Sequence, residues 1–140
     1  MNRLVLVFLF ICALLPTLIK LDAQNTIDSL QRIIDASADQ TTRLENTNHL
    51  AKAFLRKEQT DTAFALLQAA YAEADAANHP LQVELFFSIA KVYELRELVD
   101  SAVYAYEQTR ILAQQYKNDS YEALSLMEQG YHYSKKSDFQ

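Results

Sequence analysis

Catalytic and metal-binding chemistry needs particular side chains at particular spacings, and few of those spacings occur here. The three histidines, His49, His79 and His132, fall in three separate segments. None stands at a metal-ligand spacing from Cys, Asp or another His. His49 reads as a partly buried packing residue within a helix, His79 as a loop residue before Pro80, and His132, between Tyr131 and Tyr133, as facing solvent or a partner. Gly130 is the only glycine. A phosphate-cradling loop and a Gly-x-Ser-x-Gly nucleophile elbow are therefore both excluded. Glu94, Glu97 and Asp100 lie three apart, but a calcium loop needs a denser run of oxygens around a glycine, so they read as a solvated helix end. Asn118-Asp119-Ser120 matches a glycosylation sequon. The net charge is −5, with no basic stripe to meet a phosphate backbone. These residues predict no catalytic site, no metal, no cofactor and no nucleic-acid partner.

The elements come next, and the first of them is not part of the fold. Met1–Arg3 is short and basic, Leu4–Leu15 is an unbroken apolar run, and Asp22-Ala23-Gln24 follows Leu21. This is the plan of an export signal, expected to be cut after Ala23 and to leave a periplasmic or extracellular product. The alternative is an uncleaved membrane anchor, although Leu4–Ile19 falls short of the roughly 20 residues that span a bilayer. Cys12 lies inside the run, so no disulfide is expected in the remainder. With one Gly and two Pro in 140 residues, the chain lacks the punctuation of hairpins and sheets. Ala, Leu, Gln, Glu and Lys dominate instead, which predicts an all-α fold.

An internal repeat organises the rest. Leu50-Ala51, Phe54, Ala63, Leu67 and Ala70 recur 39 residues later as Ile89-Ala90, Tyr93, Ala102, Tyr106 and Thr109. A third copy opens 40 residues further on with Gln129-Gly130 and Tyr133. Phe86 and Leu126 stand four before the small residue of the last two copies, where the first has Thr47. The small residues let a second helix approach the first, and the aromatics fill the wedge between them. This spacing resembles the tetratricopeptide repeat, over about residues 41–140, with a period longer than that family's usual 34. It departs from the family at Asp75 and Gln114, where a helix-stopping proline is expected.

The resulting division is a leader at 1–23, an N-terminal packing helix at 24–40, and repeats at 41–79, 80–118 and an incomplete 119–140. Helices are expected near Ile27–Ala36, with Ile27, Leu30, Ile33 and Ile34 on one face, then at Thr42–Arg56, Asp61–Ala76, Pro80–Leu95, Asp100–Tyr116 and Ser120–Lys135. Thr42-x-x-Glu45 reads as a capping box, and Pro80 suits a first helical turn. The repeat spacing places an Ala and a further helix beyond Gln140, so the chain reads as a fragment more readily than as an array capped by its last helix.

The resemblance implies an α-solenoid whose first helices line a concave face that holds a peptide. Carried over by register, that face comprises Glu45, Asn48, Lys52, Leu55 and Arg56, then Glu84, Phe87, Lys91, Glu94 and Leu95, then Leu124, Met127, Tyr131 and Lys135. Lys52, Lys91 and Arg56 together could hold a peptide carboxylate. Phe87, Leu95 and Met127 are apolar positions on a groove, which points to a partner unless they meet the N-terminal helix. The expected role is an exported scaffold for a protein or peptide partner, touching a membrane only through an uncleaved leader or a further segment. The rival expectation is the sensory ectodomain of a membrane-bound histidine kinase or transcription regulator.

Overall fold

The structure is a computed structural model that describes residues 24–74 and 79–137. The expected leader lies outside them. Among the described residues the chain forms six α-helices and no strand. They are α1 (24–36), α2 (Gln40–Leu55), α3 (Thr60–Glu73), α4 (His79–Leu95), α5 (Val99–Gln115) and α6 (Asp119–Ser137). Consecutive helices from α2 to α6 pack on one another, and α4 also touches α2 and α6. The first helices α2, α4 and α6 thus make one layer, and α3 and α5 the other. No described helix is long and apolar enough to cross a membrane.

Small residues at the helix contacts set this arrangement. Ala51, Ala63, Ala90 and Ala102 are fully buried. Ala51 and Ala63 share a core cluster with Leu67, Leu85 and Val92, while Ala90 and Ala102 share a second with Tyr106. Any side chain beyond Cβ at these points would separate the helices, because protein interiors are close-packed. Phe54 and Tyr93 are half-buried at the edges of the clusters, and the Phe64 ring meets Tyr93 edge-on at 5.5 Å. Tyr71 packs on Phe86 at 5.1 Å. Ala70 is buried, and so is Thr109, whose hydroxyl satisfies itself on the Ala105 carbonyl. α1 lays Ile27 against Leu50 and Ala53 with Leu30 and Ile34 beside them, whereas Ile33 is exposed, contrary to expectation.

The turns repeat as faithfully as the helices. Glu58 and Glu97, 39 residues apart, hold φ of 60° and 58°. In each turn the next residue reaches back five positions: Gln59 N–H donates to Phe54 O and Leu98 N–H to Tyr93 O, both at 3.0 Å. Lys117, at φ 55°, closes α5 in the same way, through the Asn118 N–H to Ala113 O bond. These are Schellman-type ends built without glycine. The cap of α2 corrects the expected capping box: Asp39, not Thr42, is the N-cap, its carboxylate accepting from Thr42 N–H at 2.7 Å. Either residue type serves chemically, and the helix starts where Asp39 leaves extended backbone behind. α3 ends at Glu73, short of the expected Ala76, because Ala74 turns into extended backbone.

The third copy departs from the packing expectation. Gly130 is exposed, and a Cβ there would meet nothing within 4 Å. Tyr133 is 60% exposed. The physical reason is that α3 and α5 cover the corresponding faces of α2 and α4, and no described element follows α6 to do the same.

Candidate binding groove

α2, α4 and α6 enclose a groove of about 350 Å³ lined by Lys52, Leu55 and Arg56, by Phe87, Ser88, Lys91 and Leu95, and by Tyr121 and Leu124. It therefore brings together Lys52, Leu55, Arg56, Phe87, Lys91, Leu95 and Leu124 from the expected concave face. The helical period explains the alignment. On α4, Phe87, Lys91 and Leu95 are four apart and form one stripe.

Seven of the fourteen expected face residues do not line the groove: Glu45, Asn48, Glu84, Glu94, Met127, Tyr131 and Lys135. Asn48 is buried rather than lining the groove: its amide donates to Glu84 Oε1 at 2.9 Å and its carbonyl accepts from the Ser88 hydroxyl at 2.9 Å. Both partners stand on α4, and a buried side-chain amide hydrogen-bonded at both ends avoids the cost of an unsatisfied polar group. Met127 and Tyr131 are exposed on α6 and do not line the groove, although Tyr131 stands seven residues from Leu124 on the same stripe of the helix. Glu45 is likewise exposed and does not line it, and Lys135 lies over the Tyr131 ring at 4.9 Å. α1 covers none of Phe87, Leu95 or Met127; its apolar contacts are with α2 and α3.

The groove is held by two polar clusters. In the first, Lys52 Nζ stands 2.7 Å from Glu84 Oε1, the oxygen that Asn48 also reaches. Burial, together with the neighbouring Glu84 carboxylate that its hydroxyl bonds, pushes the Tyr121 phenol well above its usual range. In the second, Lys91 Nζ bridges Glu94 at 2.9 Å and Glu128 at 2.7 Å, and the Tyr106 hydroxyl donates to Glu94 at 2.6 Å. Burial acts to raise Glu94 and to lower Lys91. The Tyr106 and Lys91 hydrogen bonds overcome it at Glu94, leaving it below the usual carboxylate value, and Glu128 and Glu94 overcome it at Lys91, leaving it raised. Burial first, and then Glu94, raise the Tyr106 phenol far out of its range. Rings knit the clusters together: Phe87 contacts Tyr121 at 5.3 Å and Tyr106 at 5.4 Å.

All three histidine expectations reverse here. His49 is exposed, because its position on α2 points away from α3 and α4. His132 is buried, stacked on Tyr106 at 6.1 Å, and its Nε2 has no hydrogen-bond partner among the described residues. Four residues on from Glu128, it shares the face of α6 that rests on α5, and that face rather than its exposed neighbours Tyr131 and Tyr133 decides its burial. His79 does not stand in a loop; the backbone of α4 begins with it.

The pairing of Lys52 and Lys91 changes the chemistry the groove can do. Both ammonium groups are already neutralised by carboxylates of the fold, so gripping a ligand carboxylate would mean displacing Glu84 or Glu128. Arg56, exposed at the rim, makes no ion pair among the described residues and is the available cation. The remaining lining is apolar: Leu55, Phe87, Leu95 and Leu124. Tyr121 and Ser88 were missed from sequence. Tyr121 stands three residues before Leu124 on one face of α6, and that spacing was the available signal.

No protein-family model, curated protein or solved structure matches the chain.

Proposed function

We propose that this chain is an exported helical-repeat scaffold of the tetratricopeptide kind, not an enzyme, which holds a peptide or protein segment in the groove between α2, α4 and α6. One observation carries the reading. Residues chosen for a concave face from repeat register alone, Lys52, Leu55, Arg56, Phe87, Lys91 and Leu95, line a common groove. Apolar side chains left accessible in a concavity mark a binding surface. The groove suits an apolar ligand side chain seated among Leu55, Phe87, Leu95 and Leu124, with an acidic or carbonyl group near Arg56. The repeated turns at Glu58 and Glu97 support the repeat assignment, and the basic-apolar-small plan of residues 1–23 supports export.

Selection of a random peptide library on the purified chain tests this. Enriched peptides should be rich in apolar residues. Leu95→Glu changes a side chain 56% exposed, so the fold should survive it. Binding should weaken about tenfold or more, which is about 1.4 kcal/mol. Peptides that bind Leu95→Glu and Arg56→Glu as well as they bind the unaltered chain would overturn the assignment.

A further inference from the structure

α4 borders a second cavity on the side away from the groove. At about 100° per residue, its Phe86, Ile89 and Tyr93 form a stripe opposite the stripe of Phe87, Lys91 and Leu95. α3 and α5 flank that stripe and leave a cavity of about 260 Å³ between them. Phe86, Ile89 and Tyr93 floor it, Gln68 and Tyr71 wall it from α3, and Tyr104 walls it from α5. Four aromatic rings from three helices thus border one space. Phe86 and Tyr93 pack against both core clusters, which holds the floor in place, while Tyr104 is 65% exposed at the rim.

The negative face of an aromatic ring attracts a cation. The fold uses this attraction elsewhere: Lys91 lies over Phe87 and Tyr106, Arg96 over Phe64, and Lys135 over Tyr131. No described lysine or arginine lies over Tyr71, Phe86, Tyr93 or Tyr104, and none of the described lining residues is charged. The chain itself carries a net charge of −5, which favours a cationic ligand. The absence of a carboxylate from this lining selects the kind of cation. A primary ammonium or a guanidinium brings several N–H donors that must be satisfied once they leave water. A quaternary ammonium has none, and its methyl groups can rest on Ile89 and the rings. We propose that the cavity takes the quaternary ammonium group of a small molecule of the choline class. The exposed amide of Gln68 is the polar group available to the ligand's hydroxyl.

Titration of choline into the purified full chain, followed by amide chemical shifts, tests the assignment. Saturable shifts are expected at Tyr71, Tyr93 and Tyr104. Ethanolamine, and the neutral isostere of choline in which carbon replaces the ammonium nitrogen, should each bind about fivefold more weakly or worse. Tyr104→Leu keeps an apolar side chain at an exposed position, so the fold should survive it, and choline binding should weaken about threefold. Tyr71→Leu should act in the same direction, with helical circular dichroism as its check on folding. Leu95→Glu, on the opposite side of α4, should leave choline binding unchanged, which separates this site from the peptide groove. Equal binding of choline and its neutral isostere, no saturation by about 10 mM choline, or indifference to Tyr104→Leu would overturn the proposal. A trimethyl-lysine peptide that binds where free choline does not would also overturn it, in favour of a methylated protein partner.

Discussion

α4 and α6 carry the same signature and live in different surroundings. Phe86, Ala90 and Tyr93 on α4 have Leu126, Gly130 and Tyr133 as their counterparts on α6. The α4 residues lie against α3 and α5, fully buried at Ala90. Their counterparts face outward, with open space above Gly130. A packing motif specifies what a face can receive. Whether it stabilises anything depends on the helix that arrives.

Substitutions at matched positions should therefore diverge. The largest contrast is expected for the pair four before the small residue. Phe86→Ala should cost about 2–3 kcal/mol in urea unfolding, less than the cost for a fully buried ring because Phe86 is half-buried. Leu126→Ala should stay within about 0.5 kcal/mol. Similar costs for the two would mean that α6 is covered in solution. At the small position, Ala90→Leu should destabilise by about 1–3 kcal/mol through overpacking. Gly130→Ala should instead stabilise by up to about 1 kcal/mol, since a helical glycine with room for a Cβ is an entropic loss.

A third comparison uses pH. Glu94 sits below its ordinary carboxylate value in the fold, so its contribution to stability is present above the unfolded value and is lost as pH falls through the lower folded one. Lys91 has the opposite sign. Raised in the fold, it contributes below its unfolded value, and that contribution is lost as pH rises through the folded one. Glu94→Gln should cost about 1 kcal/mol near neutrality, and the gap to the unaltered chain should narrow as the solution is acidified below the ordinary Glu range. A gap independent of pH would show that the Tyr106 and Lys91 contacts do not act on the ionised form.

Smallest of all should be the turns. Glu97→Gly relieves a left-handed side-chain conformation but frees the unfolded chain. The net should be a gain of about 0.5 kcal/mol, and Glu58→Gly should match it if the two turns are equivalent.

The helices were legible in the sequence because their signals are local: small and apolar residues at the helical period, and acidic openings at Asp61 and Asp100. The repeat register was legible for the same reason, and it located most of the groove lining. What escaped depends on residues distant in sequence. Lys52 looked like a free cation until Glu84, 32 residues away, came within 2.7 Å. Lys91 lost its freedom to Glu128 in the same manner. Asn48 and His132 are polar residues whose burial is decided by Ser88 and Tyr106 on other helices, and no periodicity within α2 or α6 carries that information. Gly130 fitted the pattern and is nevertheless exposed, because no described element packs on that face of α6.

The network of helix contacts also bears on how the chain reaches this state. Neighbours one or two helices apart account for the main contacts, and α4 touches α2, α3, α5 and α6. Short loops between partners make the closure entropy small at each step, so folding should be rapid and should require no distant strand to find its place. Helical arrays of this kind can start wherever a local pair is most stable and grow outward. Here the starting point should be α4 with α5, where Ala90, Ala102 and Tyr106 meet, so that the last structure to form and the first to open is at the two ends of the stack.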